Sequence, residues 1–303
     1  MAFVEHLASS RAHRVSAHCL IGRAPSCGVR LTSDLTSNLH AEIRWNGLGW
    51  ELRDLGSLNG TFVDDEPIET GGRRPIAAGT RMAFGDRLDL FEITDDTPPV
   101  AVATGPDNRS VVARNGFLLL PNDESPMYQV FHDASNRWVA ESTDGHRQSL
   151  LDGGTLQIGS ETWTLDLPVV TKGTAPLGMS LDSLTLRLWT SRHGEHIEME
   201  LCQGSSSKRL ESRAHIVLLL RLAQIRLEDQ KKGELSEREQ GWVHVDVLIK
   251  ELGVSRNWID VSVFRARQQL AEANVRGAAG LFERRRDSGE IRLSVRRIEI
   301  VQL

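Results

Sequence analysis

Three short segments near the N-terminus carry residue types suited to gripping a phosphate group on a peptide. They are Ile21-Gly22-Arg23, Ser37-Asn38-Leu39-His40 and Asp54-Leu55-Gly56-Ser57-Leu58-Asn59-Gly60-Thr61. Arg23 offers a permanently charged, planar fork of N–H donors. Ser37 can donate its O–H to a phosphate oxygen, and Asn59 can both donate to and accept from a peptide backbone. A phosphorylated threonine brings about −1.5 to −2 charges at pH 7, a matched partner for such a set. Taken singly, Arg23 beside Gly22 reads as a surface turn and Asn59-Gly60 as a hairpin turn. The ordered set of three overturns those readings.

Each segment must be held in a turn between strands. Residues up to Asp95 read as short strands separated by Gly, Asn and Asp turns, as in Ala41-Glu42-Ile43-Arg44-Trp45, Trp50-Glu51-Leu52-Arg53 and Arg87-Leu88-Asp89-Leu90-Phe91. Apolar and polar residues roughly alternate, as in half-buried strands, and no long helical period intrudes. An all-β sandwich over residues 1–95 is expected, with the three turns on one edge. Thr94 to Ser110, with Thr-Pro-Pro and Gly-Pro-Asp, reads as a linker.

In order and spacing the three segments resemble the forkhead-associated (FHA) family, whose pattern is Gly-Arg, then Ser-x-x-His, then a segment ending Asn-Gly-Thr. The resemblance runs from Val4 to Ile93. It implies an eleven-stranded sandwich that binds phosphothreonine through loops at one end. It also implies Arg23 and Ser37 on the phosphate and Asn59 on the peptide backbone just after it. Asn38 stands where the family often has Arg and joins the candidate set. Gly22, His40, Gly60 and Thr61 resemble framework positions, His40 as a buried loop anchor.

A second β-rich region follows at 110–170, with Phe117-Leu118-Leu119-Leu120 and Arg137-Trp138-Val139-Ala140-Glu141. Its end, Asp152-Gly153-Gly154-Thr155-Leu156-Gln157-Ile158-Gly159 then Thr162-Trp163-Thr164-Leu165, echoes Ala78-Gly79-Thr80 to Leu90. A degenerate repeat of the first domain is one reading of this echo. Thr171 to Ser180 reads as a second linker.

Residues 178–303 change character to α+β. Strands are expected at 183–190 and 195–202, and helices at 212–229, 244–252 and 256–273. Gly253 and Ser255 are placed to cap the second and third helices. A terminal hairpin is expected around 281–284 and 291–295. Along the third helix Ile259, Val263, Ala266 and Leu270 form a core stripe. The opposite face then carries Asn257, Val261, Phe264, Arg265 and Gln268, flanked by Arg256, Asp260 and Arg267. With Val254-Ser255-Arg256-Asn257, Ile259-Asp260-Val261, Arg265-Ala266-Arg267 and Gly289-Glu290-Ile291-Arg292-Leu293, this part resembles the OmpR-type winged helix-turn-helix domain. The resemblance implies double-stranded DNA as partner. Candidate contacts are Arg256, Asn257, Arg265, Arg267 and Gln268 on the helix, and Arg284, Arg285, Arg286 and Arg292 on the wing.

Charge fits this division. The chain has 36 Lys and Arg against 41 Asp and Glu, but residues 171–303 hold 22 against 18. Apolar residues make up 40%, so a core is available. No apolar run is long enough to span a bilayer, and Met1 to Arg11 lacks a signal pattern, so no membrane partner is expected. Cys19, Cys27 and Cys202 fit neither a disulfide framework nor a zinc site, which suggests a reducing, cytoplasmic setting. No Walker loop, metal-ligand cluster or kinase motif set occurs, so neither an enzyme nor a cofactor is expected. The composite reading is a phosphothreonine-dependent transcription regulator whose partner is a Ser/Thr kinase or its substrate. The alternative is a phospho-dependent adaptor, its winged helix serving homodimer or other protein contacts.

Overall fold

The computed structural model describes residues 2–133, 135–169, 178–191, 196–285 and 288–302. Most of the linker expected at 171–180, and the candidate Arg286, lie outside them. The chain divides into two units. One holds Met1–Gly105, Asp152–Leu156 and Trp163–Thr174; the other holds Pro106–Leu151, Gln157–Thr162 and Ala175–Leu303.

The first unit is built on β1 (Ala2–His6), β2 (Arg11–Val15), β3 (His18–Gly22), β4 (Val29–Arg30), β5 (Ala41–Trp45), β6 (Trp50–Asp54), β7 (Thr61–Val63), β8 (Glu66–Pro67), β9 (Arg73–Ile76), β10 (Arg81–Phe84) and β11 (Leu90–Asp95). These make a six-stranded sheet in the order β2-β1-β11-β10-β7-β8 and a five-stranded sheet in the order β4-β3-β5-β6-β9. The period-2 pattern seen in the sequence places Ile43, Trp50 and Leu52 in one core with Val4, Met82, Phe84, Phe91 and Ile93. The expected sandwich therefore stands.

The linker expected at 94–110 is not loose chain. Ala101, Val102 and Ala103 are buried. β12 (Val102–Thr104) pairs antiparallel with the end of a much later strand, Val102 opposite Asp166 and Thr104 opposite Thr164. The region 110–170 is likewise not a separate small domain but is shared between the two units. Its strands are β13 (Ser110–Val112), β14 (Leu118–Leu120), β15 (Tyr128–His132), β16 (Trp138–Ser142), β17 (Arg147–Ser149), β18 (Thr155–Ile158) and β19 (Glu161–Asp166). β14 to β17 form a four-stranded antiparallel meander in chain order.

That meander belongs to the second unit, where Phe117, Leu119, Phe131 and Val139 share a core with the C-terminal elements. The latter are β20 (Thr185–Thr190), β21 (Ile197–Gln203), β22 (Ser206–Leu210), α1 (Ile216–Lys232), β23 (Val243–His244), α2 (Val245–Leu252), α3 (Arg256–Glu272), β24 (Phe282–Arg285), β25 (Glu290–Leu293) and β26 (Arg297–Gln302). One sheet has the order β22-β21-β20-β26, with β26 parallel to β20. β24 and β25 form a hairpin whose second strand also pairs with β23. Helix ends follow local chemistry. Gly253 ends α2 in the left-handed region, and the Ser255 hydroxyl caps α3 by accepting from the Trp258 amide at 3.2 Å. No helix of the described residues is long and apolar enough to cross a membrane.

Candidate functional site

The loops between strands of the first unit are tied together by the residues the sequence singled out. At the end of β3 the backbone of Gly22 lies against the segment 37–38. A Cβ there would overlap the Asn38 carbonyl, so only glycine permits the approach. The next amides use that approach: Arg23 donates to the Ser37 carbonyl at 3.1 Å and Ala24 to the Asn38 carbonyl at 3.0 Å. Arg23 thus leaves the strand beside Ser37. Its side chain is 41% exposed, and among the described residues its ion-pair partner is the fully exposed Asp34, at 3.6 Å. A surface pair of this length is weak and easily exchanged for a stronger anion.

Ser37 Oγ accepts from the Leu58 amide at 3.1 Å. A hydroxyl that accepts there keeps its own proton to donate. Asn59 gives one amide hydrogen to the Leu35 carbonyl at 2.8 Å. This fixes its plane and leaves its Oδ1 and second N–H in an exposed position. Asn38 is also exposed; its carbonyl receives the Ala24 amide and the Cys27 thiol.

The framework lies beneath. His40 is fully buried. Its Nδ1 accepts from the Ser37 amide at 3.0 Å, and its Nε2 lies 3.1 Å from the Gly60 carbonyl. That pattern defines a neutral ring protonated at Nε2, which bridges the serine loop to the asparagine loop. Burial lowers the ring's pKa below its ordinary value, against the opposing pull of Gly60 and Asp54. Thr61 is buried and donates its hydroxyl to Asp54 Oδ1 at 2.7 Å.

Asp54 is the framework residue that the sequence reading passed over. Its carboxylate also accepts from the Ser57 hydroxyl at 2.5 Å and from the Gly56 and Ser57 amides at 2.8 and 3.2 Å. Burial opposes its charge, yet these donors outweigh burial and hold the carboxyl below its ordinary range. The signal was present in the run Asp54-Leu55-Gly56-Ser57, an aspartate poised to bond the amides two and three residues on.

In the second unit the candidate DNA contacts divide into two sets. Arg256, Asn257 and Arg265 are exposed on α3 and Gln268 is half-buried. Arg267 is fully buried, with Glu141 of β16 at 2.8 Å and Gln129 of β15 at 3.1 Å. Arg284 donates to the Thr143 carbonyl and to Asp260 at 3.0 Å. Arg292 is bound to Glu283 at 2.6 Å and to the carbonyls of Glu237, Arg238 and Gln240. Arg285 pairs with Glu239 and Glu290 and lies over the Trp242 ring. Arg267, Arg284 and Arg292 are therefore internal ties, not exposed contacts. Phe264, expected on the exposed face, belongs to the core. The meander strands, unrecognised as neighbours of α3, supply the partners that bury this side of the helix.

Comparison with known proteins agrees on the N-terminal part. The FHA domain family matches residues 19–85. The FHA domain-containing protein FhaB of Mycobacterium tuberculosis (strain ATCC 25618 / H37Rv) is 41% identical over 63 residues, which are 21% of this chain and 41% of FhaB. The chain thus spans about two fifths of the length of that relative. Among solved structures, the FhaA FHA domain complexed with the intracellular domain of another protein is 27% identical, covering 31% of this chain and 99% of that one, with a TM-score of 0.28. Mycobacterium tuberculosis EmbR in complex with a low-affinity phosphopeptide is 26% identical, covering 32% and 25%, with a TM-score of 0.29. Residues 19–85 are an FHA domain.

Proposed function

We propose that the FHA domain binds a phosphothreonine on a partner protein, a Ser/Thr kinase or its substrate, in the cytoplasm. The observation that carries this is the Ser37 hydroxyl. Its acceptor side is occupied by the Leu58 amide and its proton is left to donate, beside an arginine whose ion pair among the described residues is a weak surface one. Arg23 and Ser37 then take the phosphate, Asn59 takes the peptide backbone, and Asn38 borders the site. The test is calorimetric titration of the full chain with a degenerate phosphothreonine peptide pool and its unphosphorylated twin. Binding of the phosphorylated pool alone, lost in Arg23→Ala, is expected. Equal binding of both pools would sink the reading.

For the C-terminal unit the reading is a winged helix-turn-helix module that binds DNA, which makes the chain a phospho-dependent transcription regulator. It is supported by three helices followed by a β-hairpin, by the exposed Arg256, Asn257 and Arg265 and by the half-buried Gln268. Contacts then fall on that stripe of α3, with Arg285 on the hairpin as a further candidate and Arg286, outside the described residues, kept from the sequence. A specific observation favours the adaptor alternative: Arg267, Arg284 and Arg292 are committed inside the protein. Titrating the full chain against random-sequence DNA at two salt concentrations separates the two. A regulator shows salt-sensitive binding, and Arg256→Ala with Arg265→Ala lowers its salt slope by about one per residue. An adaptor shows no enrichment of any DNA sequence.

A further inference from the structure

A cavity of about 320 Å³ lies within the second unit, between α3 and the segment that leads into α1. Its α3 wall carries Trp258, Val261, Ser262 and Arg265, spaced to share one face of the helix, and opposite them stand Arg213 and His215.

Two polar side chains of this wall are almost wholly buried and incompletely bonded. Ser262 is 4% exposed, and its hydroxyl has no hydrogen-bond partner among the described residues. His215 is 3% exposed. Its Nε2 lies 2.7 Å from Gln269 Oε1, and the Gln269 amide nitrogen donates to the Glu211 carbonyl at 2.8 Å. Gln269 therefore accepts through its oxygen, and His215 Nε2 carries the proton. Burial keeps the ring's pKa below its ordinary value; the bond to Gln269 opposes burial, and the charges of Arg213 and Arg265 add to it. A neutral ring protonated at Nε2 leaves Nδ1 as a bare acceptor. Although His215 stands at the N-cap of α1, its side chain makes no cap bond there. Native proteins leave few buried polar groups in this condition. Neither atom is among the unpartnered ones sealed from the surface, so a molecule in the cavity can reach both.

The remaining walls add a charge and a flat apolar surface. Arg213 is taken by Glu272 at 3.0 Å and Glu211 at 3.4 Å, whereas the exposed Arg265 pairs with no carboxylate among the described residues. A guanidinium receives a carboxylate through parallel N–H donors. Trp258 and Val261 offer an apolar face suited to a ring. The volume is that of a small-ligand pocket.

We infer that this cavity binds a small aromatic acid that carries a hydroxyl or amino group on its ring. Arg265 takes the carboxylate, with the Ser262 hydroxyl as a second donor. His215 Nδ1 accepts from the ring substituent, and Trp258 and Val261 cover the ring. Arg265 and Gln268 are also candidates for DNA, but binding of the acid rests neither on that reading nor on the FHA loops.

The test is calorimetric titration of the full chain with a panel of hydroxybenzoates and aminobenzoates, with cyclohexanecarboxylate as control. Saturable binding of at least one ring isomer is expected, at least tenfold tighter than the control. Arg265→Gln changes an exposed side chain and should weaken that binding at least tenfold. Ser262→Ala removes a hydroxyl without a partner, so it should weaken binding and leave the melting temperature unchanged. Should Ser262→Ala alter melting, Arg265→Gln still decides. Arg23→Ala should have no effect. No saturable binding by any isomer, equal binding of the control, an affinity untouched by Arg265→Gln, or binding lost in Arg23→Ala overturns the proposal.

Discussion

Ser37 has two tasks, and they belong to different atoms. Its carbonyl and amide lock the loop to Arg23 and His40, while its hydroxyl accepts from the Leu58 amide and, in the proposed function, donates to the phosphate. Ser37→Ala should therefore keep the fold and lose one charge-assisted hydrogen bond to phosphate, worth about 1.5–3 kcal/mol of affinity by calorimetry. Gly22→Ala should do the opposite: the new Cβ displaces the Asn38 carbonyl, so the melting temperature falls along with binding. His40 gives a pH dependence. Its folded pKa lies below the ordinary 6.5, so the unfolded chain takes the proton first. Its contribution to stability is complete above pH 6.5 and declines as pH falls below it. Protonation also places a second donor against the Ser37 amide. Melting temperatures measured between pH 5 and 7.5 should show an acid slope that is shallower in His40→Gln; an unchanged slope would remove His40 from this role. At this scale the sequence was readable where a motif residue ties loops together, as with the buried His40 between the Ser37 amide and the Gly60 carbonyl. Asp54 carried a local signal too, an aspartate two and three residues before the amides it accepts from, but its burial, which gives it weight, is not written in that run.

Among the elements, α3 illustrates what periodicity can and cannot reveal. The stripe Ile259, Val263, Ala266 and Leu270 is buried, as a 3.6-residue repeat requires. So too is the stripe carrying Asp260, Phe264 and Arg267, because a helix can be covered on two sides and its sequence names only the more apolar one. An arginine looks solvent-bound until its carboxylate is located, and Glu141 lies 126 residues away. Burial works against the charge of Glu141, yet Arg267 and Arg147 hold its carboxyl below the ordinary range. Removing one partner of a buried ion pair leaves a charge stranded. Glu141→Gln should then destabilise the second unit by about 3–5 kcal/mol, read from its calorimetric transition. A melting curve equal to that of the parent would mean water already serves Arg267. The polar strand Ser206–Leu210 was missed for a related reason, since an edge strand needs little apolar alternation and is defined by the neighbour it pairs with, whereas Arg297–Gln302 does alternate at Ile298 and Ile300 and was passed over.

On the scale of the whole molecule, division into an N-terminal β part and a C-terminal α+β part was legible from composition and motif order. The boundaries were not, because they depend on pairing across distance. Val102 finds Asp166, and the meander finds α3. It follows that a fragment of residues 178–303 lacks Glu141, Gln129 and Phe131, three groups that surround the Arg267 guanidinium. Such a fragment should melt at lower temperature and less cooperatively than the second unit does in the full chain. Adding residues 106–151 in trans should restore part of the difference. If the fragment melts as the full chain does, the meander is dispensable.

The chain visits the first unit, leaves for the second, and alternates between them before the C-terminal elements begin. Genes exchange modules by single breakpoints, and a breakpoint anywhere between residues 106 and 174 would give each daughter protein parts of both bodies and the whole of neither. The FHA loops and the C-terminal helices are therefore expected to travel through evolution as one inherited cassette.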